Sequence, residues 1–196
     1  MANLLGNQLD VESAKMLAEV AKQKGISLCG IQRDQTTANF SYLNLQPPDA
    51  ILLASDLSQV VVTGGLTSLN LSYNQLCGLD DLGRGTYTAV GITAIAYALR
   101  VNGGGLTALD LSFNDLNDDD VSTVCDAIQS NKETKLASLN MGANSIGPKG
   151  AKSVAAMVAV TGTLIECDLS NNAMGEDGKA SIRFSAQGKA GFNLHL

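Results

Sequence analysis

One string returns four times along this chain with its leucines and its asparagine in register. It reads Leu66-Thr-Ser-Leu69-Asn-Leu71-Ser-Tyr-Asn74-Gln-Leu76, then Leu106-Thr-Ala-Leu109-Asp-Leu111-Ser-Phe-Asn114-Asp-Leu116. It comes again as Leu136-Ala-Ser-Leu139-Asn-Met141-Gly-Ala-Asn144-Ser-Ile146 and as Leu164-Ile-Glu-Cys167-Asp-Leu169-Ser-Asn-Asn172-Ala-Met174. Each L-x-L core alternates as a strand with one buried face does. Ala38-Asn-Phe40 and Leu194-His-Leu196 extend the series at either end.

The motif asparagine serves as a ruler for locating the helix after each strand. Seven residues beyond Asn7, Asn114 and Asn144 stand Ala14, Val121 and Ala151. Leu43 takes the asparagine place in the second unit and leads to Ala50. Each landing point opens an apolar set at i, i+3, i+4 and i+7, such as Val121/Val124/Cys125/Ile128, which is one face of an α-helix. After Asn74 an insertion delays the helix, whose face is Ile92/Ile95/Ala96/Leu99. In the last unit the ruler finds Lys179, Ile182, Arg183 and Ala186, the polar face expected of a capping repeat. Asp10 and Asp118–Asp120 mark helix starts, with Pro47, Pro48 and Pro148 in first turns. Gly25, Gly103 and Gly162 are placed to end helices in the left-handed conformation.

These units and their L-x-x-L-x-L-x-x-N-x-L signature resemble leucine-rich repeat proteins of the ribonuclease-inhibitor-like class. Parallel strands joined through helices cross over right-handedly. The expected fold is therefore an α/β, right-handed, curved solenoid with a parallel sheet on the concave side and α-helices on the convex side. The expectation is one domain over residues 1–196 with about six repeats. Inserts fall near 26–37 and 77–88, and a degenerate capping repeat spans 173–196. Two departures stand out: Leu43 in place of asparagine, and the long connection Cys77 to Tyr87. The motif asparagines are expected to satisfy backbone groups where the chain turns. A strand ending at Leu196 leaves an edge that docks on another chain or continues into further sequence.

Composition narrows the function. The chain has 196 residues and a net charge of −6, with 13 Lys and Arg against 19 Asp and Glu. No basic run appears, which argues against nucleic acid and against an anionic membrane surface. The start lacks a positive signal-peptide region, and no apolar run could span a bilayer. Four scattered cysteines fit reduced thiols in a cytoplasmic protein.

Catalysis finds little to use. His195 is the one histidine, and no triad assembles around it. The stretch Gly78 to Thr86 has Arg84 and Gly85 where a phosphate loop needs lysine and a hydroxyl. The stretch Asp115 to Asp126 has Asp120 and Asp126 where a calcium loop needs glycine and glutamate. The expectation is no enzyme, no cofactor and no metal.

Binding is expected on the inner wall. The residue between the two leucines of each strand points away from the core, a column running Asn39, Asn70, Asp110, Asn140, Asp168 and His195. The neighbouring column is Ser41, Ser72, Ser112, Gly142 and Ser170. Just before the motif asparagine stands a third: Tyr42, Tyr73, Phe113, Ala143 and Asn171. Three rings in consecutive repeats either cover the rim of the core or form a binding hot spot. The sharper expectation joins Tyr42, Tyr73, Phe113, Asn70, Asp110, Asn140 and Asp168 with Arg84 and Tyr87 of the inserted loop into one protein-binding site. The wall itself offers only about 450 Å² by strand spacing, against ~800 Å² per partner in a standard interface. A scaffold or assembly subunit is the leading function, and a regulator of a small GTPase the alternative by resemblance of fold.

Overall fold

The computed structural model describes residues 2–59, 64–80, 82–103 and 105–196. Six three-residue strands form one parallel sheet in sequence order: β1 (Thr37–Asn39), β2 (Ser68–Asn70), β3 (Ala108–Asp110), β4 (Ser138–Asn140), β5 (Glu166–Asp168) and β6 (Asn193–His195). The register is in line throughout: Ala38, Leu69, Leu109, Leu139, Cys167 and Leu194 are successive Cα partners. Ladder bonding runs one residue past each of β1 to β5, as in Leu71 N–H to Asp110 O at 2.9 Å, so the second apolar residue of those triplets is held as well as the first.

The helices are α1 (Val11–Lys24), α2 (Pro47–Leu57), α3 (Val90–Val101), α4 (Asp118–Ser130), α5 (Pro148–Val160) and α6 (Gly175–Ala186). Each packs on the next in a second layer. The ruler faces are the buried ones: Ala14, Ala18 and Ala21; Ile92, Ile95, Ala96 and Leu99; Val121, Val124, Cys125 and Ile128. The result is a right-handed parallel β–α solenoid with one continuous apolar core between sheet and helices. None of the described helices is long and apolar enough to cross a membrane.

The helix ends differ from expectation. Gly25 closes α1 with φ +61°, but α3 ends at Asn102 and α5 at Thr161, both in extended conformations. Gly162 is absent from the left-handed region. Side chains do that work instead. Asn102 Nδ2 donates to Leu57 O of α2, and Asn131 Nδ2 donates to Leu99 O of α3 at 2.7 Å and to Asn102 O. Each of these two helices thus has a last-turn carbonyl satisfied by the following repeat. In α6 the buried face is Gly178 and Ile182, one residue off the ruler at its start. A Cβ on Gly178 would lie 2.9 Å from that of Ala151, so the glycine lets α6 approach α5 closely.

The first third is irregular. Every residue of α2 from Asp49 to Leu57 is buried, including both aspartates. Asp56 accepts from Ser27 Oγ, Leu28 N–H and Cys29 N–H at 2.7–3.0 Å, which folds the 27–31 insert onto the solenoid. Burial pushes the Asp56 carboxyl above the usual carboxylate range, and these donors oppose the shift. Asp49 accepts from Gly6 N–H and from Gln46 N–H, each at 2.8 Å.

Candidate functional site

The chain turns after β2 to β5 are each built around the motif asparagine. Asn74 Nδ2 donates to Phe40, Leu71 and Ser72 carbonyls, and its Oδ1 accepts from Leu45 N–H. Asn144 and Asn172 repeat the arrangement, with their Oδ1 atoms taking Leu116 and Ile146 N–H. Asn114 donates in the same way to Leu71, Leu111 and Ser112, yet its Oδ1 is buried with no hydrogen-bond partner among the described residues. The residue that should bond it is Leu76, where the 77–87 insertion departs. There the Cys77 thiol points instead at the Asn114 and Asp115 carbonyls. The inserted loop therefore costs the ladder one bond.

The residue before each asparagine, and before Leu43 in its place, lies in the left-handed region: φ is 58° at Tyr42, 55° at Tyr73, 54° at Phe113, 50° at Ala143 and 58° at Asn171. The side chains at these positions leave the sheet edge side by side. Tyr42 and Tyr73 stack with centroids 4.0 Å apart and planes 15° from parallel, and Tyr73 and Phe113 at 3.9 Å and 12°. The three residues are 66%, 37% and 44% exposed, so they stand out from the rim as a ridge and do not roof the core. Left-handed geometry for a bulky residue costs roughly 1–2 kcal/mol each, which stacking offsets in part, at about 0.5–1.5 kcal/mol per pair.

The concave column is tied down by its own chain. Asn39, Asn70, Asp110, Asn140 and Asp168 each accept through Oδ1 from the N–H two residues on, at 2.8–3.0 Å. Ser72 and Ser112 also donate their hydroxyls to Asn70 and Asp110. This corrects the expected serine column: Ser72 and Ser112 are buried under the wall and do not line it. The outer carboxylates are Asp110, Asp168 and Glu166, which accepts from Ser138 Oγ at 3.0 Å. The six strands hold these three acids and no lysine or arginine. A shallow trough across β2–β5 is lined by them with Asn70 and Asn140.

The described residues of the inserted loop are closed by one antiparallel bridge. Leu79 and Gly85 pair antiparallel, and Asp80 Oδ1 accepts from Leu82 and Arg84 N–H. The Arg84 guanidinium lies 2.8 Å from Asp80 Oδ2 and holds that carboxyl below its ordinary range. Tyr87 donates its hydroxyl to Asp120 Oδ1 at 2.9 Å, at the first turn of α4. The loop thus leaves from the same sheet edge as the rings, while Arg84 and Tyr87 are engaged with Asp80 and Asp120 in place of one another. Asp81 lies outside the described residues.

The acidic stretch 115–126 has local employment. Asn117 caps α4 through Asp119 and Asp120 N–H. Asp118 reaches the next helix and accepts from Gly147 and Gly150 N–H at 2.6 and 2.9 Å. Asp119 pairs with Lys149, and Asp115 accepts from Ser145 Oγ. Among the described residues no three histidine, cysteine, aspartate or glutamate side chains are grouped to hold a metal. Sequence reasoning missed the Asp118 bond and the Asn102–Asn131 ladder. The signal for the second was an asparagine shortly before the leucine that opens each of two successive motifs.

This β–α solenoid with an asparagine ladder defines a repeat protein. A Leucine Rich repeat family model matches residues 106–125 and 132–155, and a second Leucine Rich Repeat model matches 65–84. The chain carries leucine-rich repeats over these residues. No curated protein matches it. Leucine-rich repeats generally mediate protein–protein interaction.

Proposed function

We propose that this protein is a non-catalytic scaffold or assembly subunit that binds a protein partner through the aromatic rim and the acidic concave wall. The observation that carries this is the exposed stack of Tyr42, Tyr73 and Phe113 on left-handed backbone. Ala143 and Asn171 hold the same conformation without rings, so the fold does not require aromatics there. Exposed aromatic anchors beside polar groups are what binding hot spots are made of. The trough adds Asp110 and Asp168, and the 77–87 loop extends the same edge toward the area a stable interface needs.

The helices of 11–13 residues that follow β1 to β4 fit the ribonuclease-inhibitor-like class. The four buried free thiols, with Cys167 pushed up to about 12 by burial, fit a reducing, cytoplasmic setting. The outer edge of β6, with Leu194 and Leu196 half-buried beside it, is a second docking surface by strand addition.

The test compares affinity capture by the wild-type chain with capture by Tyr73→Ala/Phe113→Ala, quantified by mass spectrometry. Tyr97→Ala on the helical side serves as the control. Proteins retained by wild type and control should be lost with the double variant. Identical retention by all three sinks the proposal.

A further inference from the structure

The aromatic stack has an unfinished side. Residues 42, 73, 113 and 143 share the left-handed conformation, and each donates its N–H to the carbonyl one unit on, at Ser72, Ser112, Gly142 and Ser170. The Cβ of Ala143 therefore leaves the backbone as that of Phe113 does, one strand further along. With rings following one another every 3.9–4.0 Å, the next place in the stack lies over the Ala143 methyl. One face of Phe113 borders it, and the next side chain in the column is Asn171.

Resting on the protein-binding function proposed for this rim, we infer that this place receives the guanidinium of an arginine from the protein partner. The place continues a stack of flat groups, so a flat group fits it. The surroundings are acidic. Asp168 Oδ1 stands 3.4 Å from where a Cβ on Gly142, the neighbour of Ala143, would lie. Asp115, two residues past Phe113, crosses to Ser145. Glu166 and Asp110 add charge on the wall, and the strands carry no lysine or arginine. Arginine is flat, permanently charged, stacks on aromatic faces and presents a fork of donors to carboxylates; lysine has the charge without the plane.

The probes are acetyl-Gly-Arg-Gly-amide and its lysine and citrulline counterparts, titrated into the full chain with ¹³C-labelled alanine, phenylalanine and aspartate and followed by NMR. The arginine peptide should shift the Ala143 methyl and the Phe113 ring, and bind about two- to fivefold tighter than either counterpart. Ala143→Tyr, which fills the place in a conformation that Tyr42 and Tyr73 already adopt, should erase that preference. Phe113→Leu, which removes the platform, should do the same. Equal binding of the arginine peptide and either counterpart, or a preference that survives both variants, overturns the inference. Binding that moves the Asp110 and Asp168 resonances but leaves Ala143 still overturns the slot alone. The protein-binding function itself fails separately, if capture is unchanged by Tyr73→Ala/Phe113→Ala.

Discussion

The repeats on either side of Phe113 follow one backbone and carry different chemistry. From β1 to β3 the edge bears three stacked rings, an inserted loop and an asparagine with an idle acceptor. From β3 to β6 the same edge bears Ala143 and Asn171, short turns and a complete ladder through Asn144 and Asn172. Both parts bury aspartates, Asp49 and Asp56 in the first and Asp120 in the second. The second part shows what the fold needs. What the first part adds beyond it, the rings and the inserted loop, comes with one unmade hydrogen bond.

The sharpest way to break that comparison is at the ladder. Asn74→Ala removes four bonds from a buried site and should cost about 3–4 kcal/mol, whereas Asn114→Ala, whose acceptor is idle, should cost about 1 kcal/mol less. Urea denaturation of both variants reads the difference, and equal losses would show that the insertion does not interrupt the ladder. Next is Asp118→Ala, which strips two N–H partners from the start of α5. A loss of about 1–2 kcal/mol is expected, with Asp118→Asn recovering part of it in the same assay.

Phe113→Ala should move stability by less than about 1 kcal/mol, because lost stacking is set against a smaller side chain on left-handed backbone. A loss of several kcal/mol by denaturant titration would make the rings structural and remove the case for a binding ridge. The smallest effect is a drift with pH in the irregular part. The Asp56 carboxyl is raised in the folded chain, so the native state holds its proton longer than the unfolded state. Its contribution is greatest below the ordinary carboxylate range and falls as pH rises through the raised value. The penalty for Asp56→Asn, measured by denaturation at a series of pH values, should therefore be larger near pH 4 than near pH 7. A penalty that grows with pH instead would reverse the sign assigned to burial.

Much of the architecture was legible in the residues alone. The L-x-L triplets located all six strands to within one residue, and the asparagine ruler found three complete helix faces and most of a fourth, because both report periods that packing imposes directly. The ruler slipped at Gly178, where the absence of a Cβ, and not hydrophobicity, sets which residue faces the neighbour. The glycine caps failed at Asn102 and Thr161; at the first of these, a side chain from the following repeat satisfies the helix end as well as a left-handed turn can.

The repeat, the stacking order and the polar column of the wall are written in the residues alone, since each follows from local periodicity summed over units. The folded chain was needed to see that Tyr42, Tyr73 and Phe113 are stacked and exposed, that Ser72 and Ser112 are buried, and that Arg84 pairs with Asp80. Those outcomes depend on backbone torsions and on which donor reaches a given acceptor first, and neither is written in the spacing of leucines.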